Sequence, residues 1–325
     1  MASSVNLTNL VNYVNELNAE IQTSAVLKGN FVDQIDHFPG VKSIQALPIL
    51  SSTIVATDPT CGTVLSPTGS VTMFQNMLTV VESQVTMNLC KKDFDTKYFG
   101  ARDSRGINPE NIDKEFAKAF SAEIINKVQD IVEGQLIVGS STGTFSSVAN
   151  YNRINGVLHN ATLTSATSSI VNAGVTHSYS ATTAIAVIDK IIGARPKAML
   201  REDGQRLWLS YADFSTLVTA LRNANLFAYN DLEKQGVLKW EFYFPGTNVL
   251  ITACSGLDAV SNVNYSHWAF LTTERNLVFG YDDDSEYEKF DLTYESLTRS
   301  VYFVDNFKTG IMARDWTMFV LAKFN

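Results

Sequence analysis

The segment Asn108–Gly134, NPENIDKEFAKAFSAEIINKVQDIVEG, carries the strongest local structural signal in the sequence. Asn108 is suited to cap a helix, and Pro109 is suited to its first turn. Apolar residues then recur at every fourth position, namely Ile112, Phe116, Phe120, Ile124, Val128 and Val132. This spacing predicts a single helix, ended by Gly134, that is roughly 35–40 Å long at about 1.5 Å per residue. We interpret it as a long structural helix.

The sequence before this helix divides into two parts. Residues from Asn6 to Leu27 place apolar side chains in one stripe, which predicts an amphipathic helical arm closed by Gly29. The next part, residues 31–105, contains short β-prone runs between turn signals: Ser43–Leu50, Thr53–Thr57, Ser70–Met73 and Leu78–Leu89. A long extended segment cannot form a core alone, so we expect it to lie on its own subunit or on a neighbour.

The sequence after this helix predicts a mixed region of helices and strands. A Ser/Thr/Gly-rich stretch is followed by a helix over Ala181–Ile192 with Ser180 as its cap, a hairpin turning at Glu202–Gly204, and a helix over Ala212–Ala224. Alternating or apolar runs then predict strands at Val237–Phe244, Val249–Ala253, Trp268–Thr273, Leu277–Tyr281, Ser300–Val304, Gly310–Ala313 and Trp316–Phe324. The fold class is therefore α+β.

Composition excludes several classes of protein. The chain has 325 residues, 45% hydrophobic and 18% charged, with a net charge of −8. It has no clustered Lys and Arg, so it is not a dedicated nucleic-acid binder. It also lacks a signal-peptide pattern and an apolar run of the ~20 residues that cross a bilayer, which predicts no membrane contact and synthesis in a cytoplasm. The three cysteines, Cys61, Cys90 and Cys254, are far apart, and we expect reduced thiols.

One stretch of the sequence matches a catalytic motif. Gly139-Ser140-Ser141-Thr142-Gly143 fits the serine nucleophile pattern, and Asp258 and His267 could complete a triad with Ser141. The pattern needs a strand before the serine and a helix after it, and the sequence offers neither convincingly. We therefore interpret the stretch as a connector that leaves the long helix, with a serine hydrolase using Ser141 as the alternative.

No other motif indicates a catalytic, cofactor or metal site. The acidic run Asp282–Asp284 lacks the alternating ligands and internal glycine of a calcium loop, and a solvated turn is the simpler interpretation. The four histidines, His37, His159, His177 and His267, are not spaced as metal ligands. We predict that the chain is not an enzyme, and that it holds no cofactor and no metal.

The order of elements resembles that of the major capsid proteins of tailed bacteriophages, which have the Hong Kong 97-type fold. Local phrases are similar too: Asn155–Leu158 after the connector, Leu207–Ser210 leading into a helix, and Leu277–Gly280 before a glycine turn. The resemblance implies an N-terminal arm (1–40), an extended loop with peripheral-domain strands (41–105), a spine helix and connector (106–150), an axial domain (151–294) and returning peripheral-domain strands (295–325).

The resemblance also implies a function. Such a subunit self-assembles into hexamers and pentamers of an icosahedral shell that encloses viral double-stranded DNA without sequence-specific contacts. It would be assembled in the host cytoplasm, end in the virion capsid, and have a separate scaffolding protein, a portal and decoration proteins as partners. The shell protein of a bacterial nanocompartment shares this fold and is a further alternative.

Apolar residues in the arm and loop are the predicted contacts between subunits, because only a neighbour could cover them. The pattern alone predicts an assembly interface at Val11, Val14, Leu47, Ile49, Ile54 and Val55. We expect Asp at both Leu47 and Ile54 to give soluble subunits that fail to close shells.

Overall fold

A long helix and two β-sheets organise the chain. The computed structural model describes residues 31–53, 69–90, 109–142, 149–163, 169–172, 179–224, 240–260, 267–282, 290–295 and 300–324. The described helices are α1 (Pro109–Val138), α2 (Val157–Leu163), α3 (Ala184–Gly193) and α4 (Tyr211–Asn223). Short 3₁₀ turns lie at Val32–Gln34, Ala149–Tyr151, Met199–Arg201, Ser255–Leu257, Glu274–Asn276 and Trp316–Met318.

Thirteen described strands form two sheets and a separate hairpin. They are β1 (Asp36–Phe38), β2 (Ile44–Thr53), β3 (Ser70–Thr79), β4 (Val81–Cys90), β5 (Ser169–Asn172), β6 (Gln205–Leu209), β7 (Glu241–Tyr243), β8 (Leu250–Ala253), β9 (His267–Thr273), β10 (Leu277–Tyr281), β11 (Phe290–Glu295), β12 (Ser300–Ala313) and β13 (Val320–Phe324). The first sheet joins β1, β10, β12 and β11, with β4 also on β12. The second has the order β5-β13-β9-β6-β8-β7, and β2 and β3 form the hairpin.

The six-stranded sheet is covered on both faces by its own chain. Alternate residues of β9 point to opposite sides, as strand geometry requires. Ala269 and Leu271 pack with the apolar sides of α3 and α4, whereas Trp268 and Phe270 enter a core shared with α1. Residues of the first sheet, such as Phe303 and Phe307, enter that same core. The C-terminal half of α1 therefore packs between the two sheets.

The long helix is confirmed, but Gly134 does not end it. The helix continues to Val138, and Gly139 N still donates to Gln135 O at 3.0 Å. A Cβ on Gly134 would lie 2.3 Å from Cε1 of Tyr151. The glycine is therefore present because the Tyr151 ring packs directly on the helix backbone, and the prediction that it is a terminator was wrong.

Several predicted elements are confirmed, with shifted ends. The helix at Tyr211–Asn223 begins after Ser210, whose side chain accepts from Asp213 N. The helix at Ala184–Gly193 begins later than predicted, and Ser180 is not its cap. Glu202–Gly204 does not turn a hairpin, since Gln205–Leu209 follows a 3₁₀ turn and pairs with β8 and β9. Residues 237–239 lie outside the described residues.

The predicted division into domains stays a prediction, and the two sheets do not follow its C-terminal boundary. Strand β10, placed in the axial region by sequence, pairs with β12 in the first sheet. Strand β13, placed in the peripheral region, pairs with β9 in the second sheet. The chain changes sheets within Glu274–Asn276, where sequence alone predicted only a turn between neighbouring strands.

Candidate assembly surfaces

One face of the hairpin presents a stripe of apolar side chains to solvent. Strands β2 and β3 pair in antiparallel register, with Leu50 opposite Met73 and Ala46 opposite Met77. Directly opposed residues of such a pair project from the same side. Met73 is 77% exposed and Leu50 66% exposed. We call this side the outer face, and its exposed members are Ile44, Leu50, Val71, Met73 and Met77.

The opposite side of the hairpin, its inner face, is buried only near the root. Leu47 and Leu78 are almost fully buried there, in a small cluster with Val41, Val80 and Val278. Farther along the same face, Ile49 is half-buried and Phe74 is exposed. The hairpin is thus seated in its own subunit at one end and uncovered along the rest of its described length.

The predicted interface residues fall in different places. Val11, Val14, Ile54 and Val55 lie outside the described residues. Leu47 is buried against its own subunit, so Asp at this position would damage the root of the hairpin itself, and the proposed double substitution is not a clean test. Ile49 is the one described member of the predicted set with a partly open side chain.

Sequence reasoning missed the outer-face residues, although a signal for them was present. Residues 71, 73 and 77 share one parity along β3, and residues 44 and 50 share one along β2. Reading the two runs as a paired hairpin would have placed these residues on one side. What the sequence does not contain is which side meets the body of the subunit.

Ser141 does not sit on a nucleophile elbow. It follows helix α1 rather than a strand, its side chain is exposed, and its N–H donates to Asn155 Oδ1 at 3.1 Å. The other two triad candidates have different partners. His267 Nδ1 lies 2.6 Å from Asp213 Oδ1, and Asp258 Oδ2 accepts from Tyr211 N at 3.2 Å.

The neighbouring serine makes a contact that could suggest chemistry, but it is closed to a substrate. Ser140 Oγ lies 3.1 Å from His159 Nδ1 and 2.8 Å from Thr142 Oγ1. Burial lowers the pKa of His159. Ser140 is 1% exposed. The pair therefore ties the end of α1 to helix α2.

Three further buried polar groups stabilise or strain the core. Glu133 Oε1 accepts from Cys254 Sγ at 3.0 Å and from Ser255 N at 3.1 Å, which joins α1 to the turn after β8, and burial raises the pKa of Glu133. Asp213, which pairs with His267, raises the pKa of that histidine. Asp305 is buried on β12, and burial raises its pKa to about 6.

The remaining predicted features give little sign of a ligand. Asp282 is buried beside Lys308 at 3.4 Å, so it is not part of a solvated turn, and residues 283–289 lie outside the described part. Cys254 is a buried free thiol, and Cys61 lies outside the described residues. Within the described ranges, no three His, Cys, Asp or Glu side chains are grouped as a metal site. None of the helices described is both long and apolar enough to cross a bilayer.

Comparison with solved structures identifies the fold. The chain superposes on a structure from Mycobacterium phage Ogopogo with a TM-score of 0.60 and 10% identity, covering 91% of each chain. The capsid of Myoviridae phage XM1 gives 0.54 and 9%, with 90% of each chain covered. The satellite phage P4 procapsid that includes the size determination (Sid) protein gives 0.53 and 14%, with 94% of this chain and 96% of that one covered. No protein-family model and no curated protein matches the sequence.

These likenesses span nearly the full length of both partners, so they concern the whole architecture rather than one motif. The chain has the Hong Kong 97-type fold of tailed-phage capsid proteins, and the predicted fold class and resemblance are confirmed. Identity of 9–14% carries the fold and not the activity.

Proposed function

We propose that this chain is the major capsid protein of a tailed bacteriophage, which assembles into hexamers and pentamers of an icosahedral shell around double-stranded DNA. The observation that carries the proposal is the outer face of the hairpin, in a fold shared with phage shell subunits. A contiguous exposed apolar stripe on a soluble protein marks a contact surface. An isolated two-stranded hairpin is also marginally stable in water, so it gains by lying on another surface.

The occupant of the outer face is a second copy of the same chain. In a ring built by heterologous contacts, each subunit offers one surface and receives another, and rotation closes the set. A hairpin that leaves the body at one end can reach across an adjacent subunit, where its apolar stripe would be covered. Folding of the hairpin is then completed by association, and assembly stabilises the subunit by mass action.

The DNA contact in this proposal is non-specific. A net charge of −8 without clustered cations does not favour tight phosphate binding. A wall of this charge contains packed DNA without holding it in place. A separate scaffolding protein, a portal and decoration proteins complete the proposed set of partners, with assembly in the host cytoplasm and the virion capsid as the final location.

Two alternatives are separated by simple measurements. A nanocompartment shell would contain cargo enzyme rather than DNA, so nuclease-protected DNA inside purified particles distinguishes the two containers. A serine hydrolase using Ser141 would be labelled by a fluorophosphonate probe, and the label would be lost in Ser141→Ala. The structure favours the container, because Ser141 does not follow a strand and none of the described histidines, His37, His159 and His267, is hydrogen-bonded to it.

The test of the proposal is to charge the outer face. Met73→Asp and Leu50→Asp place a carboxylate where the neighbouring subunit would have to desolvate it, and we expect folded subunits that no longer form rings or shells. Electron microscopy and sedimentation velocity measure the products, and circular dichroism checks the fold. Thr72→Asp adds the same charge next to Met73 but on the inner face, and serves as the matched control. Normal shells from both outer-face variants would contradict the proposal.

A further inference from the structure

The root of the hairpin rests in a notch made by two glycines that are paired on neighbouring strands of the first sheet. Gly280 of β10 is the direct partner of Gly310 of β12. A Cβ on Gly310 would lie 2.1 Å from the backbone oxygen of Thr79. A Cβ on Gly280 would lie 2.6 Å from Cδ2 of Leu78. The last residues of β3 therefore pack on bare sheet backbone, and at Gly310 the approach to the backbone of Thr79 is closer than any other residue type permits.

Hydrogen bonds hold the root in this notch. The side-chain amide of Asn76 donates to the backbone oxygens of Ala313, at 3.1 Å, and of Arg314, at 2.8 Å. Val80 N donates to Ser43 O at 2.8 Å, which closes the two strands of the hairpin on each other. Asn76 lies on the inner face, beside the buried Leu47 with which it is paired in register. The root is thus fixed by backbone packing, by hydrogen bonds and by apolar burial together.

The length of the hairpin makes the angle at this root important. Ten residues in a strand span roughly 33 Å at about 3.3 Å per residue. A rotation of about 10° at the root moves the far end by roughly 6 Å, which exceeds the ~4.8 Å spacing of neighbouring strands. An apolar stripe displaced that far would contact a different strand of the neighbouring subunit from the one it should pack on.

We propose that Gly280, Gly310 and Asn76 are positioning residues that fix the direction of the hairpin before assembly, so that a free subunit already presents its outer face at the angle a neighbour requires. The inference rests on the proposed function for what the hairpin docks on. It goes beyond that function by assigning the docking geometry to three residues of the subunit's own body, none of which belongs to the exposed stripe.

The assembly test compares glycine-to-alanine substitutions in different surroundings. Gly310→Ala meets backbone, which cannot move aside, so the root must shift, and we expect folded subunits that give open or irregular products in place of closed shells. Gly280→Ala meets mainly the side chain of Leu78, which can rotate, and we expect a smaller loss. Gly193→Ala, with no atom within 4 Å of the added Cβ, is the matched control and should assemble normally.

Asn76→Ala keeps the inference testable if Gly310→Ala fails to fold. It removes the two hydrogen bonds to residues 313 and 314 without adding an atom, and should shift the products in the same direction. Unchanged shells from both Gly310→Ala and Asn76→Ala, with native circular dichroism, would overturn the assignment.

A distance measurement on dissociated subunits tests the inference independently of assembly. Spin labels at Val71→Cys on the hairpin and Lys190→Cys on α3, with Cys61 and Cys90 replaced by serine, report the angle of the hairpin to the body. We expect one narrow distance distribution in otherwise wild-type subunits and a shifted or broad one in Gly310→Ala. A broad distribution in the wild-type background would overturn the preset geometry, and it would leave the outer-face test of the proposed function untouched.

Discussion

The six-stranded sheet and the hairpin use similar residues and treat them in opposite ways. Leu271 in the centre of the sheet is fully buried, because helices α3 and α4 cover its side of the sheet. Leu50 on the hairpin occupies the same kind of strand position and is 66% exposed. The sheet is finished within one chain, whereas the hairpin has apolar surface that its own chain does not cover. We therefore expect Leu271 to stabilise the folded subunit and Leu50 to stabilise the contact between subunits.

The largest expected effect on the free energy of unfolding comes from truncating these two leucines in turn. Leu271→Ala should lower the free energy of unfolding of the unassembled subunit by about 2–5 kcal/mol, since it leaves a cavity between the sheet and its helices. Leu50→Ala should change it by less than about 0.5 kcal/mol, because the side chain is in water already. Urea denaturation of dissociated subunits measures both. Equal losses would show that the hairpin is covered within its own subunit.

A smaller effect is expected at Asp305 on β12, whose titration reports whether water reaches the interior of the first sheet. The residue is 1% exposed, its Oδ1 has no hydrogen-bond partner among the described residues, and burial raises the pKa of its carboxyl group to about 6. An acid whose pKa is higher in the folded state is unfavourable to folding when ionised. The penalty is absent below the unfolded pKa near 4, grows as the pH rises, and is complete above about 6.

Asp305→Asn removes this titration. The unfolding free energy of wild type relative to the variant should fall by about 2–3 kcal/mol between pH 4 and pH 7. Denaturation of both proteins at each pH measures the difference, in which the other titrating groups cancel. A difference that stays flat across this range would mean that water reaches the carboxyl group of Asp305, so that this part of the first sheet is not closed to solvent.

The smallest effect on the free energy of unfolding is expected at His267 of the second sheet, at a higher pH than for Asp305. His267 pairs with the buried Asp213, and that hydrogen bond raises the pKa of the histidine above its usual 6.5. A raised histidine pKa stabilises the fold fully below the unfolded value, and the contribution is lost as the pH rises through the folded value. His267→Gln should therefore cost about 1 kcal/mol at pH 6 and progressively less at alkaline pH. The same cost at pH 6 and pH 9 would contradict an ionic contribution.

Local patterns sufficed to predict the elements whose determinants are local. The repeat from Ile112 to Val132 predicted the long helix, and the helix predicted over Ala212–Ala224 is present at Tyr211–Asn223. The order of elements supported the fold class. These features depend on residues three or four positions apart, which a sequence displays directly.

The features that could not be predicted depend on contacts between distant parts of the chain. Gly134 looked like a terminator, because the ring of Tyr151 that explains it packs on it only in three dimensions. Leu47 was predicted to lie at an interface and Leu50 was not, and only the packing of the root on Val41 and Val278 shows that Leu47 is buried. The Gly280–Gly310 notch is likewise invisible until β10 and β12 are paired.

The parallel pairing of Asp36–Phe38 with Val278–Gly280 has a kinetic consequence. These partners are separated by roughly 240 residues, so closing the loop between them costs entropy before any contact compensates for it. The two strands of the hairpin are separated by 16 residues, 54–69, so their pairing closes a far shorter loop and we expect it to form sooner. During synthesis and refolding, the two strands can therefore pair, as a marginally stable hairpin, before the body that fixes their direction has formed. The yield of folded subunits then depends on whether β1 pairs with β10 before the exposed hairpin associates with other chains.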